Sequence, residues 1–383
     1  MALCISLAWS VAFLAVLPHD LVSASRLVTS HARRFLIVSS PSSHNVYYST
    51  LPSFHDFTLP AAERPVTNMT LLIDGQLDVC NATVNVTNNA TGNITCEEEN
   101  LGLLSPDGIA VYSNPEGQSV LFVSDMEAEN IYSYTLTVQG SSTLVAGPQQ
   151  RMMDAISGGA SGLSVDIDGN LFFTTGSTGD IMRVAASETS TRNGSTTLLY
   201  GALDSSGAVS KPGSIATDDF FVYWANTDAG DTAGTVARAP ARNASYSAVS
   251  NNTTSTYPQA IAANVAESTG VCAARDAIFF SDANASFYAV KKVGGSIASV
   301  TSSMAAPRGC VFDQENTVYV ADAEGNAVYS MPAGFVQLRA VRHIFKAYEV
   351  DSPSQVALYM HGSAHRGSLM ILVSLSLFFT CQP

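Results

Sequence analysis

The chain has 383 residues, a formal net charge of −14 and only 13% charged residues. That acidic balance excludes a nucleic-acid binder of the usual kind, which needs a basic footprint on the phosphates. The length fits one large domain between targeting segments at the two ends.

Residues 3–17 form an apolar core without a basic n-region. Val22-Ser23-Ala24 follows, a small-residue pattern that suits signal peptidase. The run is short for a membrane span, so residues 1–24 are expected to be a signal peptide. The mature domain is expected over 25–362.

Six strand–turn–strand units then recur. They are FLIVSSPSSHNVYYSTL from Phe35, VLFVSDMEAENIYSYTL from Val120 and LFFTTGSTGDIMRVA from Leu171. FVYWANTDAGDTAGTVARAP from Phe221, IFFSDANASFYAVKKVG from Ile278 and VYVADAEGNAVYSMPAG from Val318 complete the set. Apolar and aromatic strands alternate with Gly, Ser, Asp and Asn turns, and no helical period competes with them. A fixed unit at this spacing is the signature of a radial or linear repeat fold.

A Pro-x-x-aliphatic-small element precedes most units: PDGIA at 106–110, PGSIA at 212–216, PQAIA at 258–262 and PRGCV at 307–311. ASGLS at 160–164 has Ala in place of Pro. Proline suits a strand start, where no ladder N–H is needed. The first unit lacks this element, and a copy appears after the last one as PSQVALYM from Pro353. A ring closed by a C-terminal strand that completes the first blade explains the displacement, because closure pairs otherwise exposed edges. The alternative is a chance match in a linker. The expected fold class is therefore all-β, a six-bladed β-propeller.

Asn-x-Ser/Thr occurs at Asn68, Asn81, Asn85, Asn89, Asn93, Asn193, Asn243, Asn251, Asn252 and Asn284, all outside the apolar strand cores. Half of them crowd an insertion at about 60–103. Cys80 and Cys96 bracket most of it and are expected to staple it. Cys272 and Cys310 are read as a second disulfide between neighbouring blades, or else as two buried free thiols. Cys272 is assigned to extra residues between the inner and second strands of the fifth blade. An even set of four suits an oxidising compartment. No Cys-x-x-Cys occurs and no His lies between Phe57 and Arg342, so neither a metal nor any other cofactor is expected.

Near the end, residues 369–379 (LMILVSLSLFF) form an apolar tail after Gly362-Ser363-Ala364 and a short polar spacer. Residues 363–383 match a glycosylphosphatidylinositol attachment signal with Ser363 as the attachment residue. A weak interfacial anchor and a disordered tail are the competing readings.

VYWANTDAGDTAGTVARAP and VYVADAEGNAVYSMPAG resemble the YWTD repeats of low-density lipoprotein receptor propellers and also NHL repeats. The resemblance implies six blades and a structural role for the acid that ends each second strand: Asp125, Asp282 and Asp322, with Asn226 and Thr175 as departures. It transmits no activity, because such propellers host receptors, scaffolds, lyases and lactonases. Asp166 and Asp168 (VDIDGN) read as a hairpin turn.

No nucleophile elbow, phosphate loop or dinucleotide fingerprint is present. The expected function is a secreted or cell-surface glycoprotein scaffold that binds a protein or a small polar ligand and has no catalytic residues. The alternative is a channel-centred hydrolase of the lactonase or strictosidine-synthase-like kind. The candidate site is the rim just after the Pro positions: Asp107, Ser161, Gly213, Gln259, Arg308 and Ser354. Asp107, Gln259 and Arg308 would supply an acid, an amide and a guanidinium.

Overall fold

The computed structural model describes residues 33–51, 66–75, 102–201, 208–228, 234–242, 257–334 and 344–362. Every regular element among them is a β-strand. The strands form six up-and-down antiparallel sheets, with Thr67–Asn68 added parallel to the outer strand Phe345–Glu349 of the sixth, and the innermost members are Val356–His361, Pro106–Ser113, Ala160–Val165, Pro212–Thr217, Ser268–Ala273 and Pro307–Phe312. Each inner strand packs against the next and the sixth against the first, so the chain is a closed six-bladed β-propeller.

Closure follows the expected route. The C-terminal strand Val356–His361 pairs with Arg33–Ser40, which makes it the inner strand of blade one, with Phe35 opposite Tyr359 and Val38 opposite Val356. Arg34 reinforces the seam with an ion pair to Glu315, 2.9 Å away, in the first turn of blade six. Here a closed ring removes the two sheet edges that a linear stack would expose.

Six apolar cores hold the ring, one at each blade interface. Side chains of a strand alternate between the two faces of its sheet, and here both faces are covered by neighbours. Phe279 therefore enters the core shared with blade six while Phe280 enters the one shared with blade four. This explains why the second strands read as continuous apolar runs such as IFFS and VYWA rather than as alternating ones.

Two expectations are corrected. Gln259 does not start an inner strand: Gln259–Val265 is the outermost strand of blade four. The inner strand of blade five is Ser268–Ala273, with Ser268 in the proline slot opposite Asp282. An aliphatic–small pair after proline is compatible with either edge of a blade, and Pro258 stands too far ahead of Asp282 for one hairpin. By the same shift, Cys272 lies on the inner strand of blade five, not between strands. It is bonded to Cys310 on the inner strand of blade six, with Cα atoms 5.4 Å apart. Cys80, Cys96, Ser363 and the sequons at Asn81, Asn85, Asn89, Asn93, Asn243, Asn251 and Asn252 lie outside the described residues.

Candidate functional site

One bulge, repeated, builds the channel mouth. In blades two to six the inner strand uses one residue more than its partner just after the proline slot, as between the pairs Pro106–Asp125 and Ile109–Val123. A bulge of this kind bends the strand and re-aims side chains. The residues at its first position are Asp107, Ser161, Gly213, Thr269 and Arg308, and Ser354 takes the corresponding place ahead of the blade-one strand. Each of these keeps solvent contact, while the residues on both sides of it are buried in blades two to six.

Glycine at the second bulge position sets how closely the blades approach. A Cβ on Gly162 would sit 2.7 Å from the Gly213 carbonyl oxygen of the next blade, and one on Gly270 would collide with the carbonyl oxygen of Arg308. Blades two and three, three and four, and five and six are thus in backbone contact at this level, whereas Gly309 of blade six faces the Gln355 side chain and blade four carries Ser214 in place of the glycine.

Hydroxyls stitch the same level together. Thr174 Oγ1 accepts the Gly162 N–H at 3.0 Å and donates to the Gly213 carbonyl of blade four at 2.6 Å. Ser39 does the same between Gln355 and Asp107, at 3.0 and 2.6 Å, and Ser281 between Gly270 and Arg308, at 2.8 and 3.1 Å. Blades four and six carry Ala225 and Ala321 there, and in blade six Gly309 N–H bonds straight to the Ser354 carbonyl at 2.9 Å. These hydroxyls escaped the sequence reading. No local pattern marks them: Ser281 precedes Asp282, but Thr174 and Ser39 precede Thr175 and Ser40.

Those acids are structural. Asp125 accepts the N–H groups of Leu104, Ser105 and Ala128 at 2.7–3.0 Å. Asp322 does likewise for Ala305 and Ala306, at 2.9 and 2.6 Å. Each ties the segment that enters its inner strand to the second strand of the same blade. Asp282 closes its own hairpin through Asn284 and Ser286. Asp166 holds the turn it begins, accepting the N–H groups of Asp168 and Asn170 at 3.1 and 2.8 Å. These four carboxylates are buried and already held by backbone donors, so none of them is presented to a ligand.

Asp107 is different. Its carboxylate accepts a hydrogen bond from the Ser354 hydroxyl of blade one. Burial pushes its carboxyl above the ordinary carboxylate range, and neither the Ser354 bond nor the Arg308 charge reverses this. Arg308 is exposed and within electrostatic reach of Asp107, yet the two do not close an ion pair. The fold therefore brings Asp107, Arg308 and Ser354 to one mouth, with Ser161, Gly213 and Thr269 completing the ring. Gln259 is elsewhere, at the outer edge of blade four, where its amide oxygen accepts from Arg238 at 3.1 Å. Thr269 occupies the place expected for it.

Among the described residues no three of His, Cys, Asp and Glu converge to hold a metal ion. The chemistry available at the mouth is one desolvated carboxyl, one guanidinium and several hydroxyls: hydrogen bonding and charge pairing to a small polar group.

No family model matches the chain, and no curated protein matches it. Among solved structures, a gluconolactonase from Xanthomonas campestris matches at 14% identity with a TM-score of 0.47, over 65% of this chain and 78% of that one.

Proposed function

We propose that this chain is a secreted or cell-surface glycoprotein, held to the membrane by a lipid anchor at its C-terminal end, whose propeller binds a small polar ligand or a protein group at the channel mouth without catalysing a reaction. The observation that carries the reading is the pairing at that mouth of Asp107 and Arg308. They come from different blades, lie in each other's field and leave the ion pair between them open. An acid and a guanidinium held apart match a group with an ammonium and a carboxylate of its own, such as a free amino acid or a chain terminus. The exposed sequon residues Asn68, Asn193 and Asn284 and the Cys272–Cys310 bond support the extracellular part of the reading.

A second reading, the lactonase-like hydrolase, rests on Asp107 itself. A carboxyl raised by burial is a serviceable general acid or base. A paired assay on the full chain separates the two: calorimetric titration with a panel of L-amino acids, and hydrolysis of glucono-δ-lactone. Binding without turnover supports the scaffold. Lactone turnover that disappears in Asp107→Asn replaces it with the hydrolase.

A further inference from the structure

We infer that the face of the propeller on which the inner strands end lies against a phospholipid surface and contacts it through the tips Ile167, Phe220 and Val293. Ile167 and Phe220 sit in the turns between inner and second strands of blades three and four, and Val293 in the connection between third and fourth strands of blade five. In an up-and-down blade these two kinds of connection share one face. Their exposures are 55%, 79% and 68%.

Single exposed apolar residues are ordinary on any surface, but a group of large ones on one face calls for a covering. The opposite face contributes Leu104, at 47%, among the described residues. The tips are held out by bonded turns rather than by loose chain. Asp219 has a φ of +73°, and the Asp218 carboxylate takes the Phe220 and Phe221 N–H groups at 3.3 and 2.9 Å. The Ile167 N–H donates to Asp219 Oδ1 at 2.9 Å and couples the two tips.

What covers this face follows from where the chain leaves it. The strand Val356–His361 ends on the same face, with His361 opposite Arg33 at the start of its partner. The expected attachment residue, Ser363, follows Gly362 directly in the sequence, so a lipid attached there starts from this face. Blade one, where the anchor departs, stands across the ring from blade four, which carries Phe220. A tether at one side and apolar tips at the other lay the face flat on the surface. The net charge of −14 disfavours anionic lipid, which makes a zwitterionic bilayer the expected partner. The Asp107–Arg308 mouth then opens away from the membrane.

The inference rests on the tethered reading above, and the test distinguishes the two failures. The full chain is bound to phosphatidylcholine vesicles as Phe220→Trp or as Glu127→Trp, the latter on an exposed hairpin of the mouth face. Brominated acyl chains are then used as a contact quencher. The signal is the indole emission each variant adds to that of the native tryptophans, Trp9 and the buried Trp224. The emission added by Phe220→Trp is expected to shift to the blue and fall at least twofold, with that added by Glu127→Trp unchanged. Vesicle-bound protein in which the Phe220→Trp signal is unquenched, or in which both variants are quenched alike, overturns the lipid-facing surface while leaving the tether in place. No association with vesicles overturns both. Should Phe220→Trp not fold, Ile167→Trp reports on the same face with the same expected result.

Discussion

Ser354, on the segment that closes the ring, donates its hydroxyl hydrogen bond to the carboxylate of Asp107 on the inner strand of blade two. The seam between the C-terminal strand and the rest of the propeller thus passes through the one carboxyl at the mouth whose ionisation is displaced. Folding and the site are coupled at this point.

The coupling has a sign. Asp107 keeps its proton in the folded state to a higher pH than in the unfolded chain, mainly because burial disfavours the charge. Between the ordinary carboxylate value, about 4, and the raised folded value, the folded state binds more protons. Stability contributed by this group is complete below that window and falls as pH rises through it. Asp107→Asn is expected to remove that part of the pH dependence and to be more stable than the parent at neutral pH. Urea midpoints measured from pH 4 to 8 check this. An unchanged slope in the Asn variant would refute it.

Cys272–Cys310 joins the inner strands of blades five and six across a sequence separation of 38 residues. Loop-closure entropy for a loop of that size is worth about 3–4 kcal/mol. The double Cys→Ala variant should lose roughly that much in equilibrium unfolding. Adding reductant should then destabilise the parent by about that much more than it destabilises the variant.

Gly270→Ala drives a Cβ into a backbone oxygen of the next blade, and backbone cannot step aside cheaply. A loss of about 1–3 kcal/mol or more is expected, as for an overpacked core. Gly147→Ala is the matched control: its Cβ would meet Thr135 at an ordinary 3.4 Å, and its stability should barely change.

Thr174→Val keeps the shape of a buried side chain and strands the Gly162 N–H, while the Gly213 carbonyl keeps its bond from the Ser161 hydroxyl at 3.2 Å. Each unsatisfied buried group costs on the order of 1–3 kcal/mol. The loss should show in thermal unfolding, and exchange protection of the Gly162 amide should fall with it.

Much of this was legible in the chain because a propeller repeats one local problem six times. Phe279–Phe280 and Tyr223–Trp224 announce strands buried on both faces, and the displaced PSQVALYM announces the closing strand. Asp107 and Arg308 were found because the proline slot fixes where an inner strand starts. Gln259 was misplaced because PQAIA carries the same local pattern on an outer strand, and only pairing with Asp282 identifies Ser268 as the true slot. Thr269 was missed with it. The hydroxyl stitches and the bulge were not readable, since they depend on how closely the next blade approaches, a tertiary distance that no single repeat encodes.

Binding at the mouth is tested most directly by Arg308→Ala. Arg308 is exposed, so its loss should change stability by no more than about 0.5 kcal/mol. The measurement is calorimetric titration of the folded full chain and of this variant with the same panel of L-amino acids. At least one amino acid is expected to bind the parent and to bind the variant at least tenfold more weakly. Equal affinity in the two proteins, or no binding across the panel to the parent, would contradict an Asp107–Arg308 site.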